Sequence, residues 1–481
     1  MTTFRRASRR RLSTLTGLAA LAVCLQSPAC AAADAPRVIG LPSVAAWPGD
    51  FDQMLKRRVV RILVPFSRTS FFLDKGVALG FEAELGQAFE TWLNKRYGKK
   101  PYRIHVAFIP TPREKLFSEL RDGKGDIAAG NLTVTAERET IVDFAAPWVT
   151  GIKEVLVTGP TAPEIHSVDD LGGQTVTVRR SSSYFSHLQT LNEERKQAGR
   201  PLIDLVPADE NLQDEDLLEM VGGGLLPWTI VDRYTARAWS GLLNGITIRD
   251  EATVAEGGQM AWAVRKNSPL LQKELAAFVS EHKIGTAFGN DLRLRYIRSA
   301  KTIKNALADA EAKKLKGLLL AFREFGTRYN IDPMLLAGQG YQESGFDQKM
   351  RNASGAVGVM QIKPSTAREK QIAITDVVSR AEDNIHAGSK YLRFLADTYI
   401  KDPGVAPREQ VLMALAAYNA GPGNLRKFRD YATKHGLDPN RWFGNVETGA
   451  AAIVGQETVG YIGNIYKYYV VYSAGEKAAK E

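Results

Sequence analysis

Asp332-Pro333-Met334-Leu335-Leu336-Ala337-Gly338-Gln339-Gly340-Tyr341-Gln342-Glu343-Ser344-Gly345-Phe346 decides how the last third of this 481-residue chain folds. Asp332 followed by Pro333 reads as an N-cap and a first helical residue, and predicts a helix over Met334 to Glu343. Upstream, Leu315, Leu318, Leu319, Phe322 and Phe325 recur at helical spacing, until Asn330 to Pro333 breaks the pattern. The second helix is apolar around most of its circumference (Met334, Leu335, Leu336, Ala337), which predicts a buried element rather than an amphipathic one. Glu343 falls at its C-terminal end, just before Gly345. A carboxylate there opposes the helix dipole and is flanked by apolar side chains. Both effects disfavour its charged form and raise its pKa, as a general acid at neutral pH requires. A lone Glu near a helix end is more often a solvated surface group, so the reading rests on what accompanies it.

Three further segments accompany it in order: Gly355-Ala356-Val357-Gly358-Val359-Met360-Gln361-Ile362, Ala417-Tyr418-Asn419-Ala420-Gly421 and Glu457-Thr458-Val459-Gly460-Tyr461. With Glu343-Ser344 they make a four-part set that resembles the soluble-lytic-transglycosylase family, and such an ordered set is specific as motifs go. The resemblance implies a mainly α, goose-lysozyme-like domain over residues 315–481 that acts on the glycan strands of peptidoglycan. It implies that Glu343 protonates the glycosidic oxygen between N-acetylmuramic acid and N-acetylglucosamine, then takes the proton of the C6 hydroxyl as that oxygen closes onto C1. No water is consumed and a 1,6-anhydro end forms. The family pattern also puts Ser344, Ser354, Met360, Gln361, Tyr418, Asn419 and Tyr461 around the sugar or the acid. Their plainer readings stay open: Ser344 as a helix cap, either tyrosine as core. Ordinary glycosidases need two carboxylates at a set separation. Here Asp347 is separated from Glu343 by a helix-ending Gly345, and Glu457 reads as a helix cap or ion-pair partner. Trp442, Phe443, Tyr466, Tyr468 and Tyr469 read equally as packing or as a glycan-stacking surface. The six histidines show no paired ligand spacing, so no metal or other cofactor is expected.

The length predicts two or three domains, and 44% hydrophobic with 24% charged residues is the composition of globular protein. Arg5, Arg6, Arg9, Arg10 and Arg11 precede an apolar run from Leu15 to Leu25 and then Ala31-Ala32-Ala33, an export signal over residues 1–33. Ser8-Arg9-Arg10-Arg11-Leu12 loosely resembles a twin-arginine signal, so the export route stays open. Both cysteines, Cys24 and Cys30, lie in this segment, neither in a good lipoprotein context, so no disulfide is expected after it. Without these arginines the formal charge of +10 falls to about +5. Nucleic acid is not an expected partner, since no nucleic-acid motif accompanies the mild basicity. No later apolar run reaches spanning length, so membrane association would be peripheral.

Between these ends, strand and helix alternate: a strand over Arg57 to Pro65, a helix over Phe81 to Tyr97, a strand over Tyr102 to Phe108, a helix over Pro112 to Asp122 and a short strand at Gly125 to Ala129. Val155 to Thr158 and Thr175 to Val178 open a second unit, and Met260 to Arg265 returns to the first. This predicts an α/β module with a mostly parallel sheet. Gly80-Phe81-Glu82-x-Glu84-Leu85, Gly125-Asp126-Ile127 and Thr133-x-Thr135-x-x-Arg138 with Val142-Asp143-Phe144 resemble the periplasmic amino-acid-binding (family 3 solute-binding) proteins. That implies a two-lobed module over 34–300 in which Arg138 grips a ligand carboxylate as a bidentate fork. Thr135 and Ser182 (of Ser181-Ser182-Ser183) would supply donors, and Asp232 would take an ammonium. Arg138 as an exposed helix-start arginine, Asp232 as a helix cap and the serines as a polar loop are the alternatives.

Residues 301–314 read as a helical, semi-rigid connector. The whole arrangement resembles the membrane-bound lytic murein transglycosylases. It implies an exported protein of the Gram-negative periplasm, peripherally attached to the outer membrane, with an amino acid or muropeptide as possible effector. A hydrolytic lysozyme on the same fold, or a solute sensor with an inactive glycan-binding domain, are the competing functions.

Overall fold

The computed structural model describes residues 37–38, 45–98, 103–243, 245–295 and 309–478. The expected export segment and residues 301–308 of the expected connector lie outside these. The first lobe is built on a six-stranded sheet in the order Arg37–Val38, His105–Pro110, Val59–Val64, Ile127–Ala128, Ala263–Val264, Asp143–Phe144. The first three pairings are parallel and the last two antiparallel. Both faces of its central strands are covered, which is why Val59–Val64 reads as an almost unbroken apolar run. Side chains alternate between the faces: Val60, Ile62 and Val64 pack with Phe89, Leu93 and Phe278, while Leu63 packs with Ile109, Leu116 and Leu120.

The helix Phe81–Tyr97 has the expected bounds. The first strand does not: Phe51–Arg57 is a helix that the sequence reading missed, and Arg58 ends it in the left-handed region (φ 58°) before the strand begins at Val59. Asp50 explains this. Its carboxylate accepts from Phe51 N (2.7 Å) and from Leu270 N and Leu271 N (2.9 and 3.0 Å), so one side chain caps two helices far apart in sequence. In the second lobe Trp228–Asp232, Val149–Thr158 and Thr247–Met260 form an antiparallel sheet, with Thr175–Arg179 and Asp204–Ala208 paired in parallel beside it.

The remainder is helical. Asp309–Arg328 is one continuous helix, so Asp309–Lys314 of the expected connector belong to it. Pro333–Ser344 follows it, with Asp332 accepting from Met334 N (2.8 Å) and Gly345 ending the helix at φ 62°. Met334 to Tyr341 are all buried, as the absence of an amphipathic pattern predicts. Gln456–Ala478 lies along it, and Gly338 permits that approach: a Cβ there would stand 2.8 Å from Ile465 O. Trp442, Tyr466 and Tyr468 are buried core and Phe443 and Tyr469 half-buried, a division the sequence does not reveal.

The helical domain and the lobes share an interface. Lys75 N donates to Ala451 O (2.9 Å) and Gln456 Nε2 to Leu73 O (2.6 Å) from the first lobe's side. On the second lobe's side Tyr466 Oη donates to Asp209 (2.7 Å), and buried Lys467 sits 2.8 Å from both Asp216 and Glu219. Arg68 of the first lobe pairs with the same two carboxylates (3.2 and 2.6 Å).

Candidate active site

Glu343 ends the helix Pro333–Ser344 at the point where three other segments converge. Tyr461, in the second turn of Gln456–Ala478, donates its hydroxyl to Glu343 Oε1 at 2.6 Å. Tyr418, from the helix Pro407–Ala420, donates to Met360 O (2.7 Å) and lies close enough to feel the Glu343 charge. Burial pushes the Glu343 carboxyl up to about 7, and the Tyr461 hydrogen bond only partly opposes it. Among the described residues no second carboxylate contributes to that shift. Oε2 has no hydrogen-bond partner among the described residues, so an acid near neutrality carries one held oxygen and one free oxygen.

The loop over 355–362 is fixed from beneath. Ser344 Oγ donates to Val359 O (2.9 Å), tying the loop to the Glu343 helix rather than merely ending that helix. Fully buried Asn384, which the sequence reading did not single out, accepts from Met360 N (2.7 Å) and donates to Val357 O and Val377 O (2.8 and 2.9 Å). Gly358 makes room for it, since a Cβ there would meet Asn384 Nδ2 at 2.4 Å. Gln361 holds φ 44° and donates to Gly358 O (2.9 Å). Met360 is buried behind the loop. Ser354 is exposed on the turn, its hydroxyl bonded to Asn352 (2.9 Å). Exposed Asn419 accepts from Thr458 Oγ1 (2.8 Å), which joins the third motif to the fourth.

A second raised acid was not foreseen. Burial pushes Glu447 up to about 7, helped by Asp216 of the second lobe and opposed by the Gly444 N–H (2.9 Å). It faces the interface between the modules, and no tyrosine among the described residues orients it.

In the two-lobed module, half-buried Arg138 donates to Thr133 O and Ser181 O, both at 2.8 Å, so its fork reaches from the first lobe to the second. Burial and neighbouring Arg113 lower it to about 10. Thr135 caps the helix Ala136–Glu139, and Ser182 caps the helix Ser183–Gln197 while donating to Arg179 O (2.6 Å). Asp232 begins a helix, but its side chain makes no capping bond. Instead Tyr184 donates to Oδ2 (2.9 Å), and Oδ1 is buried without a partner among the described residues. Burial, Glu154 and Asp214 push its carboxyl well above the usual range. Glu154 is its cross-strand neighbour, satisfied by Ser183 and His187 (both 2.7 Å).

Two family models match the chain: bacterial extracellular solute-binding proteins, family 3, over residues 60–286, and the transglycosylase SLT domain over residues 321–440. A membrane-bound lytic murein transglycosylase F of Desulfosudis oleivorans is 29% identical over 85% of this chain and 88% of its own length. A membrane-bound lytic murein transglycosylase F 1 of Alkalilimnicola ehrlichii is 28% identical over 87% of this chain and 84% of its own. Among solved structures, an ancestral arginine-binding protein bound to arginine is 22% identical with a TM-score of 0.40, covering 50% of this chain and 98% of that one.

Proposed function

We propose that this chain, a family 3 solute-binding module joined to a transglycosylase SLT domain, is a peptidoglycan lytic transglycosylase with Glu343 as its acid and base. The observation that carries the reading is a lone carboxyl raised to about 7 and held on one oxygen by Tyr461. In its protonated form Oε2 gives the proton to the glycosidic oxygen as the C1–O4 bond breaks. The resulting carboxylate removes the C6 hydroxyl proton while O6 bonds to C1, which restores the acid and leaves a 1,6-anhydro end. Nothing enters from solvent. Ordinary hydrolytic glycosidases pair two carboxylates, one to activate water or form a covalent intermediate, whereas the side chain that holds Glu343 here is the Tyr461 hydroxyl. Ser344 and Asn384 keep the loop over 355–362 against the acid, and Tyr418 and Gln361 are assigned to the sugar beside it. Digestion of murein sacculi tests the assignment. The wild-type chain releases muropeptides and Glu343→Gln releases none; retained release by Glu343→Gln contradicts it.

The front module is read as the seat of an effector. Arg138, held between the lobes on Thr133 O and Ser181 O, brings its remaining guanidinium donors to a carboxylate, and the unpartnered Oδ1 of Asp232 suits an ammonium. An amino acid or murein-derived peptide carries both groups. Its binding alters cleavage only insofar as it favours one arrangement of the joined modules. Arg138→Ala is expected to abolish calorimetric binding of such peptides and to leave basal cleavage intact. Failure of every amino acid and muropeptide to bind the wild-type chain refutes this part alone. No described helix is long and apolar enough to cross a membrane. Export to the periplasm through the segment 1–33, with peripheral attachment to the outer membrane, completes the reading, and relatives named as membrane-bound support an envelope location.

A further inference from the structure

Gln339 stands one helical turn before Glu343 on the same face of the helix Pro333–Ser344. It is the polar member of an otherwise apolar buried run and is completely inaccessible to solvent. Its Nε2 lies 3.5 Å from the Tyr461 hydroxyl, a long hydrogen bond, and its Oε1 has no partner among the described residues. A buried amide with an unsatisfied carbonyl destabilises the fold relative to an apolar residue of the same size, so the position calls for another explanation.

We propose that Gln339 is a positioning residue that sets the direction of the hydrogen-bond relay Gln339–Tyr461–Glu343 and so keeps the reactive proton on the substrate-facing oxygen of the acid. The chemistry of the donors fixes the direction. An amide nitrogen only donates, so the Tyr461 oxygen accepts from Gln339. The single hydroxyl proton is then committed to Glu343 Oε1, which it meets at 2.6 Å. With Oε1 occupied as an acceptor, the carboxyl proton resides on Oε2, where the glycosidic oxygen is approached. Accepting from Gln339 also polarises the Tyr461 hydroxyl and strengthens its donation. Without the amide the hydroxyl turns freely, and a Glu343 protonated on Oε1 donates back to it in an unproductive state. Tyr461 and Tyr418 are the titratable groups that act on this carboxyl or feel its charge; burial pushes both tyrosines well above their ordinary range, so neither ionises across the working pH span.

Gln339→Met keeps the length and removes the amide. Cleavage of murein glycan by the full chain is followed across pH. The expected result is a several-fold fall in kcat with KM unchanged, because Gln339 is buried away from the substrate, and an alkaline limb moved to higher pH as the carboxylate loses support. In a Tyr461→Phe background the same substitution is expected to shift nothing further, since the relay is already cut. Gln339→Asn, whose amide falls short of the tyrosine, moves the profile in the same direction and serves if the Met variant folds poorly. An unmoved profile, or an equal shift with and without the Tyr461 hydroxyl, overturns the proposal. It rests on Glu343 being the acid, and Glu343→Gln run in parallel separates the two: cleavage by that variant sinks the assignment, whereas an unmoved Gln339→Met profile sinks only the relay.

Discussion

Replacing Glu343 by Gln is expected to stabilise the fold, increasingly as pH rises from about 4.5 to about 7. The reasoning follows from where the carboxyl titrates. In the unfolded chain a Glu ionises near 4.5, whereas the folded protein holds Glu343 at about 7. Between those values the folded state binds more protons than the unfolded one, so stability falls as pH rises through this window. The cost is absent well below 4.5 and fully present above 7. Converted at about 1.4 kcal/mol for each pKa unit, it is under about 1 kcal/mol near pH 5 and roughly 3 kcal/mol near pH 8. Gln keeps the acceptor for Tyr461 and removes the ionisation. Guanidinium unfolding of both chains at the two pH values gives the quantity directly, as the change with pH in the stability difference between them. A difference that stays constant would refute the claim that burial holds this carboxyl near neutrality, and with it the argument for a general acid.

Asn384→Ala removes three buried hydrogen bonds, two to the loop over 355–362 and one to Val377. It is expected to lower stability by about 3 kcal/mol and to reduce kcat through Met360 and its neighbours; an unfolding midpoint equal to wild type would contradict this. Lys467→Met leaves Asp216 and Glu219 facing Arg68 alone at the junction of the modules. A loss of roughly 3 kcal/mol is expected for the abandoned buried carboxylates, read as a lower unfolding midpoint and faster proteolysis at the junction. For the reaction itself, kcat/KM is expected to fall above about pH 7, where Glu343 no longer carries its proton, a limb that Glu447 does not create if Glu447→Gln leaves it in place.

Much of this was legible in the sequence because it is local. Asp332-Pro333 and Gly345 delimit the acid helix by capping chemistry alone, and Glu343 at its end follows from that. The helix Phe81–Tyr97 likewise carries its own periodicity, and the short strand at Ile127–Ala128 lies in a compact apolar run. What stayed hidden depends on partners far along the chain. The helix Phe51–Arg57 is short, and the carboxylate that caps it is shared with Leu270 and Leu271. Gln339 shows itself in sequence as a polar residue in an apolar run, but its meaning comes from Tyr461, 122 residues away. Tyr466 and Lys467 look like one aromatic and one surface cation until Asp209, Asp216 and Glu219 of the second lobe are brought against them. Ser354 fits the motif, and it faces solvent with its hydroxyl bonded within its own turn.

Isotopic labelling of the products tests the central claim most directly. Murein sacculi digested by the wild-type chain in water enriched in oxygen-18 are analysed by mass spectrometry. Internal transfer to the C6 oxygen predicts muropeptides lighter by one water than hydrolytic products and free of label. Reducing ends that carry oxygen-18 would show that water attacks C1, and would contradict a single-carboxylate transglycosylase.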